Sequence, residues 1–159
     1  MTLEEFNGQL WPLLRQINDS INALLRPVCD RQGLTPIQLR ALLAIRQQPC
    51  TVGELGRSIC MADTNVSALC KRLERRGLLR RVRGGRDERV VHLELTGAGL
   101  LLAQELDGQI AQRLRPVWEA RRRDLPRILQ DLDSLSGQLQ AAVSLAAGSP
   151  LPQEKEQTP

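Results

Sequence analysis

Between Lys71 and Arg89 the chain places nine Lys/Arg and three Asp/Glu, a net charge of +6. The whole sequence carries only +4, so everything outside this segment sums to −2. Positive charge focused on one short stretch is the electrostatic footprint of a polyanion-binding surface. At 3.6 residues per turn, Val66, Leu69, Cys70 and Leu73 fall on one side of a helix over this region. Thr64, Ala68, Lys71 and Arg75 fall on the opposite side, flanked by Asn65, Ser67 and Arg72. Small residues let such a face sink into a major groove, where hydroxyl, amide and guanidinium groups reach base edges or phosphates. The competing reading is a solvated basic face on an ordinary surface helix. Further on, Arg86 and Arg89 bracket Asp87 and Glu88. An acid beside an arginine can fix its orientation through a bidentate pair, and an oriented arginine suits the narrow, electronegative minor groove. The alternative is an exposed ion pair of little consequence.

Other chemistry has less support. The four cysteines, Cys29, Cys50, Cys60 and Cys70, contain no CxxC, and His92 is the only histidine, so a metal site of the usual nitrogen and sulfur type is not expected. No cofactor is expected either. Cys50 and Cys60 each border a turn and are the expected exposed, redox-capable thiols, while Cys70 on the apolar helix side should be a small buried hydrophobe. Thiol-based redox control and cysteine ligation of an iron–sulfur cluster remain alternatives. A cysteine-dependent enzyme would have to rest on a Cys60–His92 dyad, because no Ser/His/Asp set, glycine-rich phosphate loop or HExxH occurs. Aromatic residues make up 2% of the chain and tyrosine is absent, which argues against the stacking platforms that bind single strands.

These residues need elements to position them. Thr35 and Pro36 start a helix with Ile37, Ala41, Leu42 and Ile45 as its buried stripe. Thr51 and Glu54 form a capping box that opens a short helix. After a break at 60–62, Asp63 is placed to cap the basic helix. Residues 78–83 and 89–95 read as two strands joined through Gly84 and Gly85. Before this module, Leu3, Phe6, Leu10, Leu13, Ile17, Ile21, Leu24 and Val28 mark a long amphipathic helix, in which Pro12 either opens the main segment or kinks it. After it, Thr96 caps another long helix, the segment ARRRDLP interrupts, and a last helix carries Ile128, Leu132, Leu135, Leu139 and Val143. The fold expected is mainly α with a small β-hairpin wing: a winged helix-turn-helix module flanked by long dimerisation helices. Its parts are an N-terminal dimerisation helix (1–33), the DNA-binding module (34–96), C-terminal dimerisation helices (97–147) and a disordered tail (148–159). The N-terminus MTLEEFNGQL does not read as a signal peptide, and no apolar run approaches the ~18 residues that span a bilayer. A cytoplasmic protein with no membrane partner is expected.

The stretches LTPIQLRALLAI, TVGELGRSICMADTNVSALCKRLERRGLLRRV and GRDERVVHLELTGAGLLL together resemble the MarR (multiple antibiotic resistance regulator) family of winged-helix transcription factors over about residues 34–102. The resemblance implies a homodimer on a pseudo-palindromic double-stranded DNA operator, often controlled by a small aromatic effector bound near the junction of the dimerisation and DNA-binding lobes. It places the recognition helix at Asp63–Arg76 and the wing's acid–arginine motif at Asp87 and Arg89. Peroxide-sensing members of that family pair a first-helix cysteine with tyrosines, a pattern this chain departs from, since it has no tyrosine and Cys29 lies late in its first helix. The combined reading is a transcriptional repressor that occupies promoter DNA and is released by a ligand or an oxidant.

Overall fold

The computed structural model describes residues 1–83 and 91–147. The helix α1 (Leu3–Arg31) starts with a capping box between Thr2 and Glu5 and runs through both Pro12 and Pro27. Neither proline opens or ends it, although each removes one backbone donor from the ladder. Its C-terminus closes on Gly33, at φ 58°. There the Gly33 and Leu34 amides donate to the Asp30 and Cys29 carbonyls, the paired bonds of a Schellman turn. The next helix, α2 (Pro36–Gln47), begins with the expected Thr35 cap, here part of a capping box with Gln38.

Two residues, Cys50–Thr51, form a strand β1 that the sequence did not signal, since a pair is too short to show alternation. The expected Thr51–Glu54 capping box then opens α3 (Val52–Ile59). The basic helix α4 (Asp63–Arg75) differs from expectation at its start: Ala62 occupies the N-cap seat and offers no side-chain acceptor. Strands β2 (Leu79–Arg83) and β3 (Val91–Leu95) pair antiparallel, Leu79 with Leu95 through Arg83 with Val91. β1 adds to the other edge of β3, giving a three-stranded sheet of order β1-β3-β2. The expected turn at Gly84 and Gly85 lies outside the described residues, as does the tail from residue 148.

Thr96 starts α5 (Gly97–Arg121) as expected: its hydroxyl accepts from the Gly99 amide at 3.1 Å and donates to the Gly77 carbonyl at 2.6 Å. The last helix is α6 (Leu125–Ala147). The chain divides into two units, one from Met1 to Arg113 and one from Leu114 onward. In the first, Val28 of α1, Leu39 and Leu42 of α2, Leu55 of α3, Val66 and Leu73 of α4, Leu93 of β3 and Leu106 of α5 are all fully buried in one core. That shared core holds the basic helix at a fixed attitude.

Candidate nucleic-acid interface

The helix pair that could meet DNA is α3 and α4, joined by a three-residue turn. Cys60 closes α3 in a left-handed conformation (φ 54°, ψ 52°), the seat usually given to glycine. The Met61 amide reaches back to the Gly56 carbonyl at 2.9 Å and completes the turn. The phase of α4 is the one the sequence spacing predicts. Val66, Leu69, Cys70 and Leu73 are buried against the core. Thr64, Asn65, Ala68, Lys71, Arg72 and Arg75 are exposed, and Ser67 is half-buried at the margin. The exposed face therefore runs from small polar groups at its N-terminal end to cations at its C-terminal end. Arg86, Asp87 and Arg89, the expected wing residues, lie outside the described residues.

The cations of the basic segment are not equivalent. Arg80 pairs with Glu94 across the β2–β3 ladder at 2.8 Å. Arg81 of β2 pairs with Glu74 of α4 at 3.3 Å, tying the basic helix to the sheet. Arg76 donates to two backbone carbonyls beyond the end of α1. Lys71 and Arg72 make no ion pair among the described residues, and Arg75 bonds only its own helix, from Nε to the Lys71 carbonyl. Charge counting along the sequence could not separate these groups, because the partners Glu94, Gln32 and Gly33 are distant in the chain.

The thiols divide differently from expectation. Cys60 is exposed, but Cys50 is buried. It faces Leu93 in the β1–β3 ladder, so the border of a turn is here the inside of a sheet. Burial raises the Cys50 thiol above its ordinary pKa, with the neighbouring Glu54 charge adding to the effect. Burial likewise raises Cys29, helped by Asp30. Cys70 is fully buried, and desolvation pushes its thiol up to about 11. Among the described residues no group of three His, Cys, Asp or Glu side chains is arranged to hold a metal ion. Among the described residues no hydrogen bond joins Cys60 to His92; the Cys60 thiol donates to the Arg57 carbonyl, at 4.0 Å. No helix of the described residues is long and apolar enough to cross a membrane.

Comparison with known proteins agrees with this geometry. Residues 32–90 match the model of the MarR family. A probable transcriptional regulator from Pseudomonas aeruginosa is 30% identical, with a TM-score of 0.63 over 80% of this chain and 98% of that one. Two more distant likenesses are of fold alone. NadR in complex with 4-hydroxyphenylacetate is 24% identical, with a TM-score of 0.73 over 79% of this chain and 90% of that chain. The transcriptional repressor CouR bound to a 23-mer DNA duplex is 23% identical, with a TM-score of 0.69 over 86% and 98%.

Proposed function

This chain belongs to the MarR family of winged-helix transcriptional regulators, and from that premise we propose that it acts as a homodimer on a pseudo-palindromic double-stranded DNA operator. It represses transcription by occupying that site and is released by a small aromatic effector. As a regulator of chromosomal DNA it works in the cytoplasm, and its role is binding, not catalysis.

The observation that carries the reading is the split of α4 into a buried apolar side and an exposed side of small polar and cationic groups. Thr64, Asn65, Ser67 and Ala68 approach base edges, and Lys71, Arg72 and Arg75 reach bases or flanking phosphates. Arg89, aimed by Asp87, enters the adjacent minor groove, with Arg86 at the backbone. The structural likeness to CouR, solved on a DNA duplex, supports the DNA partner and the sign of regulation. The likeness to NadR, solved with 4-hydroxyphenylacetate, supports the aromatic effector. Exposure of Cys60 at the helix-turn-helix turn favours one second reading, oxidant control through that thiol. An iron–sulfur cluster is disfavoured, because Cys29, Cys50 and Cys70 are buried and no metal-binding group forms among the described residues.

The test is selection of duplexes from a randomised pool, followed by titration of the selected and scrambled duplexes at several salt concentrations. Asn65→Ala and Ser67→Ala should each cut discrimination between the two by about 1–3 kcal/mol where a base contact is lost. Failure of the wild-type chain to prefer any duplex would remove the proposal. Unchanged discrimination in both variants would move the reading residues elsewhere on α4.

A further inference from the structure

Arg76 sits at the C-cap of α4, inside the basic segment, where charge counting alone would assign it to a phosphate. Its side chain is committed elsewhere. Nη1 donates to the Gly33 carbonyl at 2.9 Å and Nη2 to the Gln32 carbonyl at 2.8 Å. These carbonyls lie just past the C-terminus of α1. The Schellman bonds of that turn consume the Asp30 and Cys29 carbonyls and leave those of Gln32 and Gly33 for other donors. A guanidinium is suited to the position twice over. Its positive charge meets the negative end of the α1 dipole, and its planar fork spans two consecutive carbonyls, which a lysine ammonium cannot reproduce.

We propose that Arg76 is a positioning residue, a clasp that fixes the end of the recognition helix to the α1–α2 turn and so sets the angle at which α4 meets DNA. The inference rests on the reading of α4 as the DNA-entering helix. Within the core, α4 packs chiefly against α3 and β2. Arg76 gives it a direct polar link to α1 that bypasses both. The link continues outward, because the Gln32 side chain reaches Glu105 of α5 at 3.4 Å. A shift of the α1 C-terminus relative to the core is then carried to the end of α4 through two hydrogen bonds. The backbone of Arg76 is held at the same time, its amide on the Arg72 carbonyl and the following Gly77 in a left-handed turn at φ 69°. The side chain therefore pulls on a fixed point of the helix.

The experiment compares full-length wild type with Arg76→Lys, Arg76→Ala and Arg72→Ala. The probes are a duplex that the wild type selects from a randomised pool and a scrambled duplex of equal length, each titrated over a range of salt. Arg76→Lys keeps the charge and breaks the fork. It should lower the ratio of selected to scrambled affinity about tenfold, the order of one misread base pair, with the salt slope unchanged. A loss of folded protein would scale both affinities together and leave that ratio alone. Arg72→Ala, which removes a DNA-facing cation, should reduce the slope by about two per dimer. Wild-type discrimination in Arg76→Lys overturns the proposal, as does a fall in slope for Arg76→Ala equal to that of Arg72→Ala. If Arg76→Ala does not fold, the lysine variant decides alone. Amide exchange without DNA separates the clasp from the DNA reading. Faster exchange at residues 33–34 and 76–78 in Arg76→Lys supports the clasp even if no duplex is selected, and unchanged exchange there overturns it.

Discussion

Arginines of the basic segment meet different ends: Arg80 and Arg81 neutralise carboxylates, Arg76 holds carbonyls, and Arg72 stands exposed beside Lys71. Residue type thus says less than the partner each side chain finds. Asp87 tests this logic at the wing. Removing its negative charge should strengthen binding if the wing attracts DNA by bulk charge alone. If Asp87 instead aims Arg89, Asp87→Ala should weaken binding to every duplex, because an unaimed arginine must be ordered at the moment of contact. Titration across salt decides, and tighter binding by Asp87→Ala would sink the aimed-arginine model. The thiols give a second prediction. Iodoacetamide should modify Cys60 first, since it is exposed, and leave Cys70 unmodified in the native state. The raised Cys70 pKa also fixes a sign. Below the unfolded thiol value of about 8.5 both states are protonated and the full stability is present. Between there and about 11 the unfolded chain loses its proton while the folded chain keeps it, so stability falls as pH rises through that window. Denaturant midpoints of Cys70→Ala, which lacks the titrating group, should decline less over the same range; an identical decline would refute this assignment.

At the scale of elements, the clearest prediction concerns how α5 is seated. A β-carbon built at Gly99 would overlap the Leu78 carbonyl, which is backbone and has little freedom to move. The first turn of α5 therefore lies directly on the entry to β2, where Thr96 also holds the Gly77 carbonyl. Gly99→Ala should cost about 1–3 kcal/mol by overpacking, lowering the melting temperature by several degrees. Gly108→Ala, on the same helix but with open space around it, is the control and should not destabilise the chain. Equal melting temperatures for the two variants would contradict the close approach. The sequence made most of this scaffold legible. One capping box, Thr51 with Glu54, announces α3, and Thr35 followed by Pro36 announces the start of α2, although the reciprocal bond from Gln38 is a finding of the structure. The face of α4 was legible because one period governs thirteen residues. What stayed hidden was non-local. β1 exists only because β3 lies beside it, and its pairing turns Cys50 from an apparent surface thiol into a buried one. The role of Arg76 is invisible in the sequence because its acceptors lie 43 and 44 residues away. Ala62 replaced Asp63 as the cap of α4 by a shift of one residue, which no propensity argument resolves.

The largest question belongs to the whole molecule. In α1 the predicted stripe is buried only in part: Val28 joins the core and Leu10 is buried, whereas Leu3, Leu13, Ile17 and Ile21 are exposed. The end of α5 exposes Leu114, Val117 and Trp118, and α6 exposes Ile128, Leu129, Leu132, Leu139, Val143 and Leu145. Each unit thus leaves apolar side chains exposed along its own helices, and exposed apolar surface of this kind marks an interaction site. A second copy is the occupant that the DNA reading requires. One α4 presents only about four turns of helix, and two reading heads on a two-fold axis match the symmetry of a pseudo-palindromic site. Joining the heads also makes the second contact intramolecular, which multiplies affinity without any new contact. Leu132 and Leu139, exposed at 44% and 40%, lie seven residues apart on one face of α6 and are the points to test. Replacing both with Asp would put two charges into the interface and should give monomers, or an unfolded chain if the terminal helices cannot stand alone. Sedimentation of the wild type at micromolar concentration should report twice the 17.8 kDa chain mass. On a selected duplex the wild type should saturate at two chains per site, and a folded monomeric variant should bind more weakly with a salt slope about half as steep, since one arm's phosphates are then contacted instead of two. A well-folded monomer from the unmodified chain, or full slope from the monomeric variant, would defeat the dimeric reading.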